Sequence, residues 1–241
     1  MLGPYDGQVS SPRSPRLLVI EHESDSGPAM LAERATELGF ALDIVSPESG
    51  IPVSSAGYVA VVCMGSAWGV HDDHAPDGWF ADEIKLLRDA DATGVAILGV
   101  CFGAQSLAHA LGGSVARARR PEIGWFTVQS ADESLIDPGP WFEWHIDAVT
   151  PPAGAMVLAR TPDCVQAYAI GPHLALQFHP EVTEVEVGDW CRTDGGILTE
   201  LGLRGDDLVA ETRDRSADAR RRAYELFDRF VARAGIVVPV G

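Results

Sequence analysis

The chain has 241 residues, enough for one large domain with a substantial core. Apolar residues make up 46% and charged residues 22%, the balance of an ordinary globular protein. A net charge of -17, with Lys85 the only lysine, argues against a nucleic-acid backbone or an anionic membrane as the main partner, and leaves small substrates open because they meet only a local field.

The four cysteines, Cys63, Cys101, Cys164 and Cys191, lack CxxC spacing, which disfavours a zinc site or a disulfide framework. No apolar run approaches the length of a membrane span, and residues 1–15 read as a flexible tail rather than a signal peptide. The expectation is a reduced, cytoplasmic protein whose single domain runs over residues 16–241.

Leu17 to Ile20 is a short apolar run of the kind a strand covered on both faces requires. A helix is predicted from Pro28 to Leu38, with Pro28 in its first turn and Gly39 closing it. Phe40 to Val45, Tyr58 to Cys63 and Ala96 to Val100 read as further strands. Between the last two, Phe80, Ile84 and Leu87 share a face of a helix over Trp79 to Thr93, stopped by Gly94. This cadence predicts an α/β fold, an open and mostly parallel twisted sheet with helices on both faces. Beyond Gly112-Gly113, β-like segments near Gly124 to Val128, Trp141 to His145, Val165 to Ile170 and Leu174 to Phe178 predict a smaller antiparallel extension. Ala223, Leu226, Phe227, Phe230 and Val231 form the apolar stripe of a final helix over about Asp218 to Ala234. Thr183 to Ser216 is polar and Gly-rich and shows no clear pattern.

The most informative segment is Ala96 to Ala108, where an apolar strand runs into Gly99-Val100-Cys101-Phe102-Gly103 and then into a helix-forming stretch. Flanking glycines permit a sharp strand-to-helix turn with the nucleophile at its tip, the logic of the Gly-x-Ser-x-Gly elbow. The helix aims its first N–H groups at the sulfur, which favours thiolate over thiol, and the Phe102 amide faces a developing oxyanion. An unpaired cysteine elsewhere is a small core hydrophobe, and Cys63, Cys164 and Cys191 keep that reading. A thiol needs a base, and a base needs an orienting partner. An apolar strand ends at His179, and Glu181 follows across Pro180, so the two side chains share a side of an extended segment.

Gly99 to Gln105 together with Phe178-His179-Pro180-Glu181 resembles the class I glutamine amidotransferase family, in particular stand-alone relatives of the glutaminase half of GMP synthase. Lesser matches spread over about residues 16 to 235. The resemblance implies a flavodoxin-like sheet, a Cys101-His179-Glu181 triad and no cofactor or metal. It also implies an oxyanion loop on Met64 to Val70, in which Gly65, Ser66 and Phe102 supply the amides. Ser66 and Ala67 stand where Gly and Pro are usual. Gln105 matches a residue that contacts substrate glutamine, and Trp144-His145-Ile146-Asp147 matches the His-Gly-Asp segment, with Ile146 for glycine.

Two enzymatic readings follow. One is a glutaminase chain that releases ammonia to a separate synthetase, since the sequence carries neither a Walker A motif nor a Ser-Gly-Gly-x-Asp-Ser run. The other is a free-standing γ-glutamyl peptidase or hydrolase acting on a γ-glutamyl amide or peptide. A non-catalytic regulatory protein on the same fold is the third. The basic clusters Arg117-Arg119-Arg120 and Arg220 to Arg222 read as solvated faces, and His71-Asp72-Asp73-His74 as a solvated loop.

Overall fold

The computed structural model describes residues 14–71 and 78–238. Nearly all of the expected N-terminal tail, and Asp72, Asp73 and His74 of the acidic loop, lie outside those residues.

Eight strands form one sheet. β1 (Arg16–Ile20), β2 (Ala41–Val45), β3 (Ala60–Cys63), β4 (Ala96–Val100) and β10 (His173–Leu176) run parallel in the order β2-β1-β3-β4-β10. The sheet continues antiparallel through β9 (Val165–Ile170), β8 (Met156–Arg160) and the two-residue β6 (Gln129–Ser130). The alternation of β1 shows why this stretch is apolar throughout. Leu17 and Val19 enter the core on one face, and Leu18 and Ile20 enter the core on the other.

The first core is covered by α1 (Ala29–Glu37) and α6 (Gly205–Arg233), which contribute Leu31, Ala35, Leu226, Phe227 and Phe230. The second is covered by α2 (Trp79–Thr93) and α3 (Phe102–Ala110) through Ile84, Leu87, Phe102 and Leu107. Phe230 is fully buried, and truncating such a side chain to alanine costs about 3–5 kcal/mol. Among the described residues no helix is long and apolar enough to cross a membrane.

Two of the four expected late strands extend the sheet; the other two do not. β5 (Ser114–Phe126) and β7 (Trp141–Thr150) pair with each other as a separate antiparallel ribbon, interrupted by a bulge between Arg117 and Glu122. The ribbon leans on the sheet through one bridge, Phe142 to His179, with the His179 N–H donating to the Phe142 carbonyl at 2.8 Å.

Thr183 to Ser216 is helical almost throughout. It forms α4 (Glu184–Thr193), α5 (Gly195–Leu201) and the first part of α6, which begins at Gly205 rather than Asp218. Val187, Trp190, Leu198 and Leu208 of these helices pack on Ile123 and Phe142 of the ribbon, a third core beside the sheet.

Candidate active site

β4 ends in a sharp elbow at Cys101, whose φ of 51° and ψ of -107° are unusual for a residue with a Cβ. Such a conformation costs about 1–3 kcal/mol and persists only where its surroundings hold it. Here the Cys101 N–H donates to Leu176 of β10 at 2.7 Å, and the Cys101 carbonyl accepts from Ala104 and Gln105. The flanking glycines act through proximity. A Cβ on Gly99 would lie 2.6 Å from the Gly103 carbonyl oxygen, and one on Gly103 would lie 2.0 Å from that of Cys63. Phe102 opens α3, so its N–H has no intrahelical acceptor.

His179 and Glu181 follow β10, the strand hydrogen-bonded to β4, and this adjacency brings the three residues together. His179 Nδ1 lies 2.8 Å from Glu181 Oε1, with both side chains buried. The Cys101 thiol is within hydrogen-bonding reach of the same imidazole, and with Nδ1 engaged, Nε2 is the nitrogen left for it. Burial works against a charged ring, yet Glu181 and Cys101 outweigh it and hold His179 well above the ordinary histidine pKa. The Gln177 amide donates to the sulfur at 3.6 Å and accepts from Gln105 at 3.1 Å.

The loop after β3 crosses the thiol. A Cβ on Gly65 would lie 3.0 Å from His179 Cε1 and 3.7 Å from Cys101 Cβ, so glycine is needed there for packing. The serine and alanine that depart from the family pattern are clamped by Glu23. Its carboxylate accepts from the Ser66 hydroxyl at 2.8 Å and from the Ala67 N–H, a donor that proline would lack. Burial raises the pKa of Glu23, partly offset by the Ser66 bond. Neither Glu23 nor its role has any local signature in the sequence.

Cys101 borders two cavities. One of about 560 Å³ is lined by Gln105, Arg117, Trp144, His145, Ile146 and Glu200, among others. The other, of about 230 Å³, is lined by His179, Glu181, Asp25, Trp190 and Asp194. Thus Gln105, His145 and Ile146 all border the site, while Arg117, read as a solvated residue, borders it too. It pairs loosely with Asp147 at 3.6 Å. Arg119 binds Asp163 at 2.7 Å, and Arg220 to Arg222 pair with Glu33, Glu225, Asp218 and Asp137.

His145 lies at the cleft wall but its ring is committed elsewhere. Nδ1 donates to the Asp147 carbonyl at 2.8 Å, and Nε2 sits 3.2 Å from Glu122 and 3.3 Å from Glu143. Burial pulls its pKa down, but the two carboxylates dominate and push it up to about 10. Among the described residues, two buried trios hold donors close enough for a metal: His22, Cys63, Glu83 and Glu122, His145, Cys164. In the first, His22 Nε2 meets Glu83 at 2.7 Å and the Cys63 thiol donates to Glu83 at 3.2 Å, so the donors already engage one another.

The family model for glutamine amidotransferase class-I matches residues 24–190. The chain belongs to the class I glutamine amidotransferase family. It is 35% identical over 217 residues to a glutamine-hydrolyzing GMP synthase of Aeropyrum pernix, covering 82% of this chain and 39% of that protein. It is 31% identical to a separate glutamine-hydrolyzing GMP synthase subunit of Sulfolobus acidocaldarius over 63% of this chain and 81% of that protein. Amidotransferase structures from Thermotoga maritima and Methylobacillus flagellatus superimpose with TM-scores of 0.81 and 0.80, covering 90% and 96% of this chain and 98% of each, at 23% identity. That likeness speaks for the fold alone. The chain thus spans about two fifths of the full-length synthase it matches and most of the Sulfolobus protein.

Proposed function

We propose that this amidotransferase chain hydrolyses the γ-amide of glutamine through a thioester on Cys101 and releases ammonia to a separate synthetase in the cytoplasm. The observation that carries the reading is Cys101, strained at the strand–helix elbow, beside an imidazole that Glu181 holds at 2.8 Å. Relatives named as separate subunits of GMP synthase support a division between a glutaminase chain and a synthetase partner. Four free cysteines suit a reducing compartment.

The chemistry follows from the site. His179 takes the Cys101 proton, and the sulfur attacks the γ-carbonyl carbon. The Phe102 and Ser66 amides receive the oxyanion, and His179 returns the proton to the departing nitrogen as the C–N bond breaks. Water, deprotonated by His179, then cleaves the thioester to glutamate and restores the thiol. Glu181 keeps the ring in the tautomer this cycle needs. The amino-acid end of glutamine occupies the larger cleft, toward Gln105, Ile146 and Arg117.

The test is glutamate release from glutamine by the purified chain, alone and with an added GMP-synthase-type synthetase domain. Cys101→Ala abolishes release; a variant that still liberates glutamate overturns the reading.

A further inference from the structure

The smaller cavity has a chemistry of its own. In the proposed cycle the leaving nitrogen must sit where His179 can protonate it, and His179 lines this cavity but not the larger cleft. The acyl half therefore lies in the larger cleft, and the leaving group lies in the smaller one. An ammonia molecule is about the size of a water and needs on the order of 10–30 Å³. The cavity offers about 230 Å³.

Its walls select for charge. Asp25, on the loop between β1 and α1, and Asp194, between α4 and α5, carry carboxylates with no hydrogen bond or ion pair among the described residues. Glu181 is 2% exposed, and its Oε2 has no partner either, because only Oε1 engages His179. Trp144 and Trp190 supply an aromatic wall, their rings 5.8 Å apart. Trp190 is fixed by its indole N–H, which donates to the Asp25 carbonyl at 2.9 Å, and by its contact with the His179 ring at 4.8 Å. His179 is the only basic side chain on this wall among the described residues. Carboxylates without partners beside aromatic faces recognise organic cations.

We propose that the smaller cavity is a leaving-group subsite for amines that carry a second, cationic group, so that the site also hydrolyses γ-glutamyl monoamides of aliphatic diamines. Each turnover consumes one water. The sulfur–carbon bond forms as the carbon–nitrogen bond breaks, the diamine leaves with the His179 proton, and water releases glutamate. The assignment rests on the Cys101 reading above and adds the identity of the leaving group.

The test uses glutamine and three γ-glutamyl amides: those of 1,4-diaminobutane (cationic), pentylamine (neutral, same length) and 4-aminobutyrate (anionic). Glutamate release is measured with the wild-type chain, and affinity by calorimetry with Cys101→Ala, which needs no turnover. The cationic amide is expected to exceed the neutral one about tenfold in kcat/KM and in affinity, with the anionic amide weakest. In Asp25→Asn/Asp194→Asn, which keeps the side-chain shapes, that ratio falls to about two or less. The ratio is internal to each protein, so a general loss of activity does not imitate it. Equal handling of cationic and neutral amides, with glutamine still bound or cleaved, overturns the subsite alone. Failure to bind or cleave any of the four compounds overturns the Cys101 reading and the subsite together.

Discussion

His22 donates from Nδ1 to the carbonyl oxygen of Gly65 at 3.0 Å. A peptide plane carries its carbonyl and the next N–H in opposite directions, so fixing this carbonyl turns the Ser66 N–H toward the thiol. Glu83 holds the far side of the ring at 2.7 Å, and the Cys63 thiol steadies Glu83. The trio is thus a buried support for one proposed oxyanion donor. His22→Ala is expected to lower kcat for glutamine about 10–100-fold with little change in KM, because the lost donor matters most in the transition state. His22→Gln, which can restore a donor to Gly65, recovers part of the loss. Steady-state kinetics on both variants, with melting temperatures beside them, check this.

The elbow makes a sharper demand on Gly103. Its missing Cβ is what lets α3 begin against β3, since that atom would lie 2.0 Å from the Cys63 carbonyl oxygen. Gly103→Ala forces backbone against backbone and is expected to cost about 3 kcal/mol or more. Gly112 has a φ of +87° but open space around it. Gly112→Ala therefore costs only about 1 kcal/mol of backbone strain. Urea denaturation of both variants separates proximity from strain.

Gly103 and the nucleophile were legible because the elbow is a local device, written in five consecutive residues. His179 and Glu181 were legible for the same reason, and the fold joins the two segments by pairing β4 with β10. Glu23 and His22 were not, because their partners on the Ser66 loop are more than forty residues away. The helices of Thr183 to Ser216 were missed because Gly188, Gly195 and Gly196 weaken helix propensity, and their burial comes from Ile123 and Phe142 of the ribbon. One signal was present. Thr183 and Glu186 form a capping box, with the Thr183 N–H donating to Glu186 at 2.8 Å, and that spacing marks the start of α4. The ribbon was read as sheet because strand alternation says nothing about which neighbour a strand chooses.

Glu181→Gln removes the charge that raises His179. The imidazolium then persists only up to a lower pH than in the wild type, which NMR titration of the ring detects. The stability linkage has a definite sign. A raised histidine pKa contributes stability that is full below about pH 6.5 and is lost as pH rises through the folded value. The variant gives up that contribution at lower pH. Glutaminase kcat is expected to fall about 10²–10⁴-fold, as the ring loses its orienting partner.

His145 offers a second pH signature, away from the reacting atoms. With its pKa at about 10, the wild type loses this contribution between roughly pH 6.5 and pH 10. His145→Gln leaves Glu122 and Glu143 buried without their cation. The variant is expected to be less stable by about 3–5 kcal/mol at pH 6, with a smaller deficit at pH 10. Denaturation at the two pH values measures the difference, and a deficit independent of pH would show that the ring is neutral in the folded protein.

Arg117 tests how the larger cleft holds its ligand. The guanidinium stands at the bulge of the ribbon, 3.6 Å from Asp147 and on the wall of the 560 Å³ cleft with Gln105 and Glu200. With the γ-amide at Cys101, the α-carboxylate of glutamine extends along that wall, where Arg117 can pair with it. The contact is solvated and distant from the breaking bond, so it acts equally on ground and transition states. Arg117→Ala is expected to raise KM for glutamine about three- to tenfold with kcat unchanged, and Arg117→Lys to lie between. Deleting the α-carboxylate from the substrate should remove the difference between wild type and Arg117→Ala. If the variant keeps the wild-type KM, the carboxylate is bound elsewhere, and the backbone of Ile146 and Asp147 becomes the remaining anchor for that end of glutamine.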